Sequence, residues 1–333
     1  MTWFGLTSVP LSGDVAQALA AIPAVPGVGQ VVGPDGRNLV IGRGAQLRRW
    51  AASHLGKGKA PRPGVRPPTN LAPIATAIAY AETTSAFHQR LVYERLMARY
   101  VPISARRDLK PPAYLHLDPA ERFPRIAIQR AKDGREALYG PFRDPHKAEA
   151  ARQRLHRLLP LRPCDYVFEP DPNLPLGLGC VYAQVSTCAA PCLSRVDEDS
   201  YRALASEAAS LLSRASSRPA EIEDVVPSWV TASAGSAGLV VEAGSRGLEL
   251  YPIRDGIVFD AVRVGADEPL SGALASLRFS PALGDARVDD TPWLSAWLNT
   301  PRRTGTFLVV DLPVSVPALQ VRLRDKLGLP EER

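Results

Sequence analysis

IPAVPGVGQVVGPDGRNLVIG, residues 22–42, consists of two apolar runs separated by a Gly/Pro/Asp cluster. Residues 22–32 and 37–42 are expected to be short strands, with Gly33, Pro34, Asp35 and Gly36 as the turn between them. Apolar runs flanking such a cluster are the usual hairpin signal. Downstream, Ala45 to His54 reads as a helix, and Gly56 to Pro68 as a loop rich in Gly, Pro and basic residues. A second helix is expected over Thr84 to Tyr100, with apolar residues at Phe87, Leu91, Tyr93, Leu96 and Met97. Two strands and two helices in this order make an α+β unit, placed at residues 18–115.

A middle region, 116–215, carries a strand at Arg125 to Gln129, a helix at Pro145 to Leu159 and an amphipathic helix at Asp197 to Ser213. Asp197 stands where a cap belongs, three residues before Ser200, and Glu198 and Asp199 put negative charge at the positive end of the helix dipole. After Pro219 the texture changes. Leu239 to Glu242, Leu248 to Ile253, Ile257 to Val264 and Thr306 to Asp311 are short β-rich runs, so residues 220–333 are expected to form a small β-rich domain with one helix near Pro292 to Asn299.

With 333 residues and 45% apolar content the chain can bury a substantial core. No stretch approaches the ~20 apolar residues of a membrane-crossing helix, and residues 1–14 lack the pattern of a signal peptide. A cytoplasmic protein without a membrane partner is therefore expected. The formal charge of +6 is uneven: residues 1–192 hold 25 Lys+Arg against 14 Asp+Glu, and residues 193–333 hold 15 against 20. The basic part is the candidate polyanion surface.

All four cysteines, Cys164, Cys180, Cys188 and Cys192, fall within 29 residues. In a cytoplasmic chain that clustering points to metal rather than disulfides. The spacing is Cys-x15-Cys-x7-Cys-x3-Cys. Structural zinc sites favour paired short gaps, of which only the last qualifies, so the pattern tilts toward iron–sulfur with zinc as the alternative.

Several ordered segments resemble the nucleotide excision repair nuclease subunit UvrC and its N-terminal GIY-YIG domain. Pro26-Gly27-Val28-Gly29 stands where that family has Pro-Gly-Val-Tyr, Val40-Ile41-Gly42-Arg43 where it has Tyr-Val/Ile-Gly-Lys, and Leu47-Arg48-Arg49 where it has Leu-Arg-x-Arg. Leu91-Val92-Tyr93-Glu94 is similar to the segment carrying the family's metal-binding Glu. Arg107-Asp108-Leu109-Lys110, Phe123-Pro124-Arg125-Ile126 and Tyr139-Gly140-Pro141-Phe142 extend the match. Leu161-Arg162-Pro163-Cys164, Cys180 and Cys188-Ala189-Ala190-Pro191-Cys192 resemble its cysteine motif, the first gap being longer here. The resemblance covers residues 20–210.

This resemblance implies a role in DNA repair and a [4Fe-4S] cluster on the four cysteines. It also implies a nuclease site in which Glu94 holds a divalent ion, Mg²⁺ or Mn²⁺, and Arg48 balances charge on the phosphorane. The family's two signature tyrosines are replaced by Gly29 and Val40, which offer no proton acceptor, so hydrolysis is expected to be impaired unless Tyr80, His88, Tyr93 or Lys110 substitutes. The plainer reading of Glu94 is a surface carboxylate in i,i+4 pairs beside Arg90. Arg43, Arg48, Arg49, Lys57, Lys59, Arg106, Arg107 and Lys110 are the candidate phosphate contacts. Three functions follow: a DNA-binding repair protein with an impaired nuclease site, a metal-dependent endonuclease making a single incision, or a protein-interaction module in a repair complex.

Overall fold

In a computed structural model of the protein, described residues are 5–58, 68–106, 109–130, 137–174, 180–213, 219–227, 229–232, 236–265, 268–280 and 289–328. The chain divides into two units, one of residues 1–107, 242–249 and 263–267, the other of residues 108–241, 250–262 and 268–333.

The first unit runs β1 (Thr7–Pro10), α1 (Val15–Ala21), β2 (Gly27–Val32), β3 (Asn38–Gly44), α2 (Leu47–His54), β4 (Ala77–Glu82) and α3 (Ala86–Tyr100). Its antiparallel sheet has the order β1-β4-β2-β3. The expected hairpin is β2–β3. Asp35 and Gly36 both take positive φ at its turn, a conformation that Asp-Gly pairs tolerate and most side chains do not. Strand β2 is central and covered on both faces, which is why its run lacks polar alternation. On one face Val31 and Ile78 pack with Leu19, Ile22, Leu47, Ala51 and Leu55 from the α1 and α2 region. On the other, Val28 packs with Val92 and Leu96 of α3. Helix α3 starts at Ala86 because Ser85 caps it, accepting from the His88 amide at 3.1 Å. Strands β1 and β4 and helix α1 were not expected.

The second unit begins with β5 (Ala113–His116), β6 (Ala127–Gln129), β7 (Leu138–Phe142) and α4 (Pro145–Leu158). It continues through α5 (Val181–Gln184), α6 (Glu198–Ser213), α7 (Ala220–Glu223) and β8 (Thr231–Ala232), giving a sheet of order β6-β5-β7-β8. Helix α6 opens on the expected cap: Asp197 accepts from the Ser200 amide at 2.8 Å. Tyr201, Ala205, Ala208 and Leu212 form its buried stripe at helical spacing and pack with Ala148, Ala151 and Leu155 of α4.

The remaining elements are β9 (Ser236–Gly244), β10 (Gly247–Arg254), β11 (Ile257–Val258), β12 (Val262–Val264), α8 (Leu270–Ala275), α9 (Thr291–Leu298), β13 (Thr306–Asp311) and α10 (Val316–Leu327). Their sheet has the order β11-β10-β9-β13, with β12 beside β10. The protein is thus α+β with small antiparallel sheets. Its C-terminal third is more helical than expected, since α8 and α10 accompany α9. Helix α10 carried a legible signal, Pro317 in its first turn and Gly328 in the left-handed conformation after its end. No helix among the described residues is long and apolar enough to cross a membrane.

Candidate functional site

Glu94 projects from α3 and is 3% exposed. Arg90, one turn earlier, reaches Oε1 at 2.5 Å, and Arg106 reaches Oε2 at 2.8 Å. Arg106 is itself buried, its guanidinium 5.9 Å from the Tyr93 ring centroid, and Arg43 of β3 lies over the same ring at 4.9 Å. The Arg90 pair has the i,i+4 spacing of an ordinary helix pair, but the carboxylate is inside the protein, where two cations on one anion offset its desolvation. Both oxygens therefore face guanidinium groups, and Arg106 is an interior ion partner instead of a surface cation.

Arg48 is on α2, against the opposite face of the sheet from α3. Its guanidinium donates from Nε to the Ile22 carbonyl at 2.8 Å and from Nη2 to the Ala20 carbonyl at 3.2 Å, satisfying the C-terminal end of α1. The structure does not bring Arg48 and Glu94 together.

Gly29 lies opposite Gly42 in the β2–β3 register, and Val40 lies opposite Val31. These positions share the face covered by α2, and the space above both glycines is filled by Trp50: a Cβ would come within 2.1 Å of its ring at Gly29 and 2.3 Å at Gly42. Val40 packs against the core on this face. At Gly29, where the resemblance puts a phenol, this chain has the indole ring of Trp50 lying over the strand. Sequence reading missed Trp50, although Gly29 and Gly42 in adjacent strands are the kind of vacancy a large ring fills.

Of the residues considered as substitute bases, Tyr80 is buried among apolar neighbours and Tyr93 lies beneath two guanidinium groups. His88 Nδ1 takes the Thr84 amide at 3.3 Å and stands 3.0 Å from the Thr84 hydroxyl. Burial holds its pKa below the usual histidine range, against the raising effect of Glu249 and with that of Arg263. A neutral imidazole whose Nδ1 is engaged by an amide donor has no basic nitrogen to offer from that side. Two buried glutamates also serve this helix end: Glu242 accepts from the Phe87 amide at 2.7 Å, and Glu249 accepts from the Thr84 hydroxyl and meets Arg263 at 3.1 Å. They suit the positive N-terminal end of α3, and nothing in the sequence linked residues so far apart.

Of the other candidate phosphate contacts, Arg43, Arg49 and Lys57 are exposed in the first unit and Lys110 is exposed in the second. Lys59 and Arg107 lie outside the described residues.

The four cysteines belong to the second unit. Cys188 and Cys192 are buried, Cys164 and Cys180 half-buried, and all four carry free thiols. They are close enough to act on one another: burial raises the Cys188 thiol to about 11, and Cys164, Cys180 and Cys192 push the same way. Cys192 is likewise raised by burial, with Cys180 and Cys164 contributing. The Ala190 amide, presented by a left-handed residue, donates to Cys188 Sγ at 3.3 Å. Among the described residues no group of three or more His, Cys, Asp or Glu side chains is drawn in around one metal-ion position.

Comparison with known proteins places this segment. Residues 113–211, from β5 into α6, match the family model described as UvrC/Cho excinuclease, middle domain. The chain is 24% identical over 201 residues to "UvrABC system protein C" of Methylococcus capsulatus, covering 59% of this chain and 31% of that protein. It is 26% identical over 200 residues to the protein of the same name from Gluconobacter oxydans, covering 60% and 30%. In Moorella thermoacetica the figures are 26% over 194 residues, 57% and 30%. The matched region is thus about a third of the length of these curated relatives. No solved structure matches the chain. Across about 60% of its length this chain is similar to UvrABC system protein C, and its residues 113–211 match that family's middle domain.

Proposed function

We propose that this protein is a UvrC-like DNA-binding component of nucleotide excision repair whose N-terminal unit has the GIY-YIG arrangement without a working hydrolytic centre. The GIY-YIG reading is supported by the succession β2-β3-α2-β4-α3 around the quoted glycine motifs. The observation that carries the loss of hydrolysis is Glu94, buried between Arg90 and Arg106 while Arg48 serves α1 on the other face. A metal-assisted phosphodiesterase needs an accessible carboxylate for the ion and a nearby cation for the developing charge. Here every one of those groups has a structural partner. Exposed Arg43, Arg49 and Lys57 are left to contact phosphate.

For the cysteines, the donor set is four thiols with an amide aimed at one sulfur, a soft set that suits a multi-iron group. A single zinc ion needs each thiolate ~2.3 Å from one point. An iron–sulfur cluster attaches each cysteine to its own iron and accepts a wider set. Cys164, Cys180, Cys188 and Cys192 would hold such a [4Fe-4S] cluster. When bound it would tie the 160–192 segment to the start of α6 and supply one-electron redox chemistry.

The test is anaerobic purification followed by incubation with lesion-bearing and flapped duplexes with Mg²⁺ or Mn²⁺. Binding without nicking is expected, with log affinity falling linearly in log salt by about 0.9 per phosphate contact, and Arg43→Ala and Arg49→Ala each reducing that slope by about one. Nicking that disappears in Glu94→Ala would instead support the single-incision endonuclease. Salt-insensitive or absent DNA binding would favour a protein-interaction module.

A further inference from the structure

Arg162, immediately upstream of Pro163-Cys164, makes more contacts around the cysteine segment than any charge-pairing role requires. Its Nε donates to the Phe123 carbonyl at 2.8 Å, and its Nη1 donates to the carbonyls of Tyr166 at 2.7 Å and Cys164 at 3.4 Å. Its guanidinium lies 5.3 Å from the Phe168 ring centroid. Phe168 in turn packs on Phe123 at 5.5 Å and stacks with Tyr166 at 6.2 Å. The Arg162 amide donates to the Tyr201 hydroxyl at 2.8 Å, which donates to the Pro124 carbonyl at 3.0 Å. Residues 159–171 have no helix or strand ladder to satisfy their carbonyls. One planar, permanently charged fork takes two of them, those of Cys164 and Tyr166, a geometry Lys cannot reproduce.

We infer that Arg162 is the positioning residue of the cysteine site: it fixes the loop that carries Cys164 and holds a permanent positive charge against the Cys164 backbone. This rests on the reading that the four cysteines hold an iron–sulfur cluster. Groups just outside a metal site that orient its ligands typically change metal retention by about 10- to 100-fold when removed. A positive charge near a cluster favours the reduced, more negative state and so raises its potential.

The experiment uses the full chain, reconstituted anaerobically with ferric iron, sulfide and a thiol reductant, in wild-type, Arg162→Gln and Arg162→Lys forms. Visible absorption is followed after addition of a chelator, together with bound iron, midpoint potential and unfolding of the metal-free proteins. Both variants are expected to bleach about tenfold faster than wild type. Arg162→Gln, which loses the charge, is expected to have the lower potential, and Arg162→Lys, which keeps the charge and loses the fork, to stay near wild type. Should Arg162→Gln fail to fold, the bleaching rate of Arg162→Lys carries the test. Variants that bleach at the wild-type rate overturn the role of Arg162 while leaving the cluster in place. Wild-type protein that takes up no iron overturns the cluster reading, and this inference with it.

Discussion

Two arginine-built sites in this protein work in opposite ways. In the first unit Arg90 and Arg106 converge on one carboxylate, Glu94, and the three side chains close a charge-paired knot inside the protein. In the second, Arg162 converges on the backbone carbonyls of Phe123, Cys164 and Tyr166. An ion pair consumes the group it stabilises, whereas a fork on carbonyls shapes a loop and leaves its side chains available for chemistry. The same residue type therefore occupies a carboxylate in one unit and shapes a loop in the other.

The contrast can be broken first at Glu94. Glu94→Ala removes the carboxylate paired with Arg106, a cation with a 3% exposed side chain, and removal of one partner of a buried pair costs about 3–5 kcal/mol. Urea unfolding should show the loss, and an unchanged midpoint would mean that the knot is not closed in solution. A Glu94→Ala, Arg106→Met double variant should recover most of it, since apolar replacement of a whole buried pair is often neutral.

Next in size is Gly29→Tyr, which places a second ring where Trp50 lies. Overpacking of this kind costs about 1–3 kcal/mol. Combining it with Trp50→Gly should return stability, measured by thermal melting. If Gly29→Tyr alone is as stable as wild type, Trp50 does not occupy that space. Smaller again is Ser85→Ala, which removes the cap of the helix carrying Glu94 at about 1 kcal/mol. The expected readout is a modest melting shift, and an unchanged melting temperature would mean that the Ser85 cap contributes nothing.

The gentlest effect is with pH. Burial holds His54, His88 and His156 below the ordinary histidine value. The unfolded chain takes up protons near pH 6.5 while the folded one does not, so their contribution is present above about pH 6.5 and declines as pH falls below it. Unfolding at pH 7.5 and 5.5 should show this, and His88→Gln should flatten the difference for the first unit. An identical slope in that variant would contradict the buried, neutral His88.

Much of this organisation was legible in residue order. The β2–β3 hairpin follows from Asp35-Gly36, which tolerate positive φ, and α6 follows from Asp197 with the Tyr201-Ala205-Ala208-Leu212 stripe. Both are local rules, acting over a few residues. Helix α10 was overlooked although its Pro317 and Gly328 brackets were visible, and α1 and β4 are short elements whose burial comes from distant neighbours.

Sequence alone determined the mixed α+β character, the hairpin that frames the first sheet, the basic first part of the chain and the grouping of four cysteines. Those features depend on composition and on spacings within one or two turns of chain. Only the tertiary structure decided that Arg48 and Glu94 stand on opposite faces of a sheet, that Trp50 fills the space above Gly29, and that Glu242 and Glu249 serve a helix starting at Ala86. The reason is physical. Which groups neutralise a buried charge or fill a vacancy depends on side chains brought together from far apart in the chain, and no local periodicity encodes that meeting.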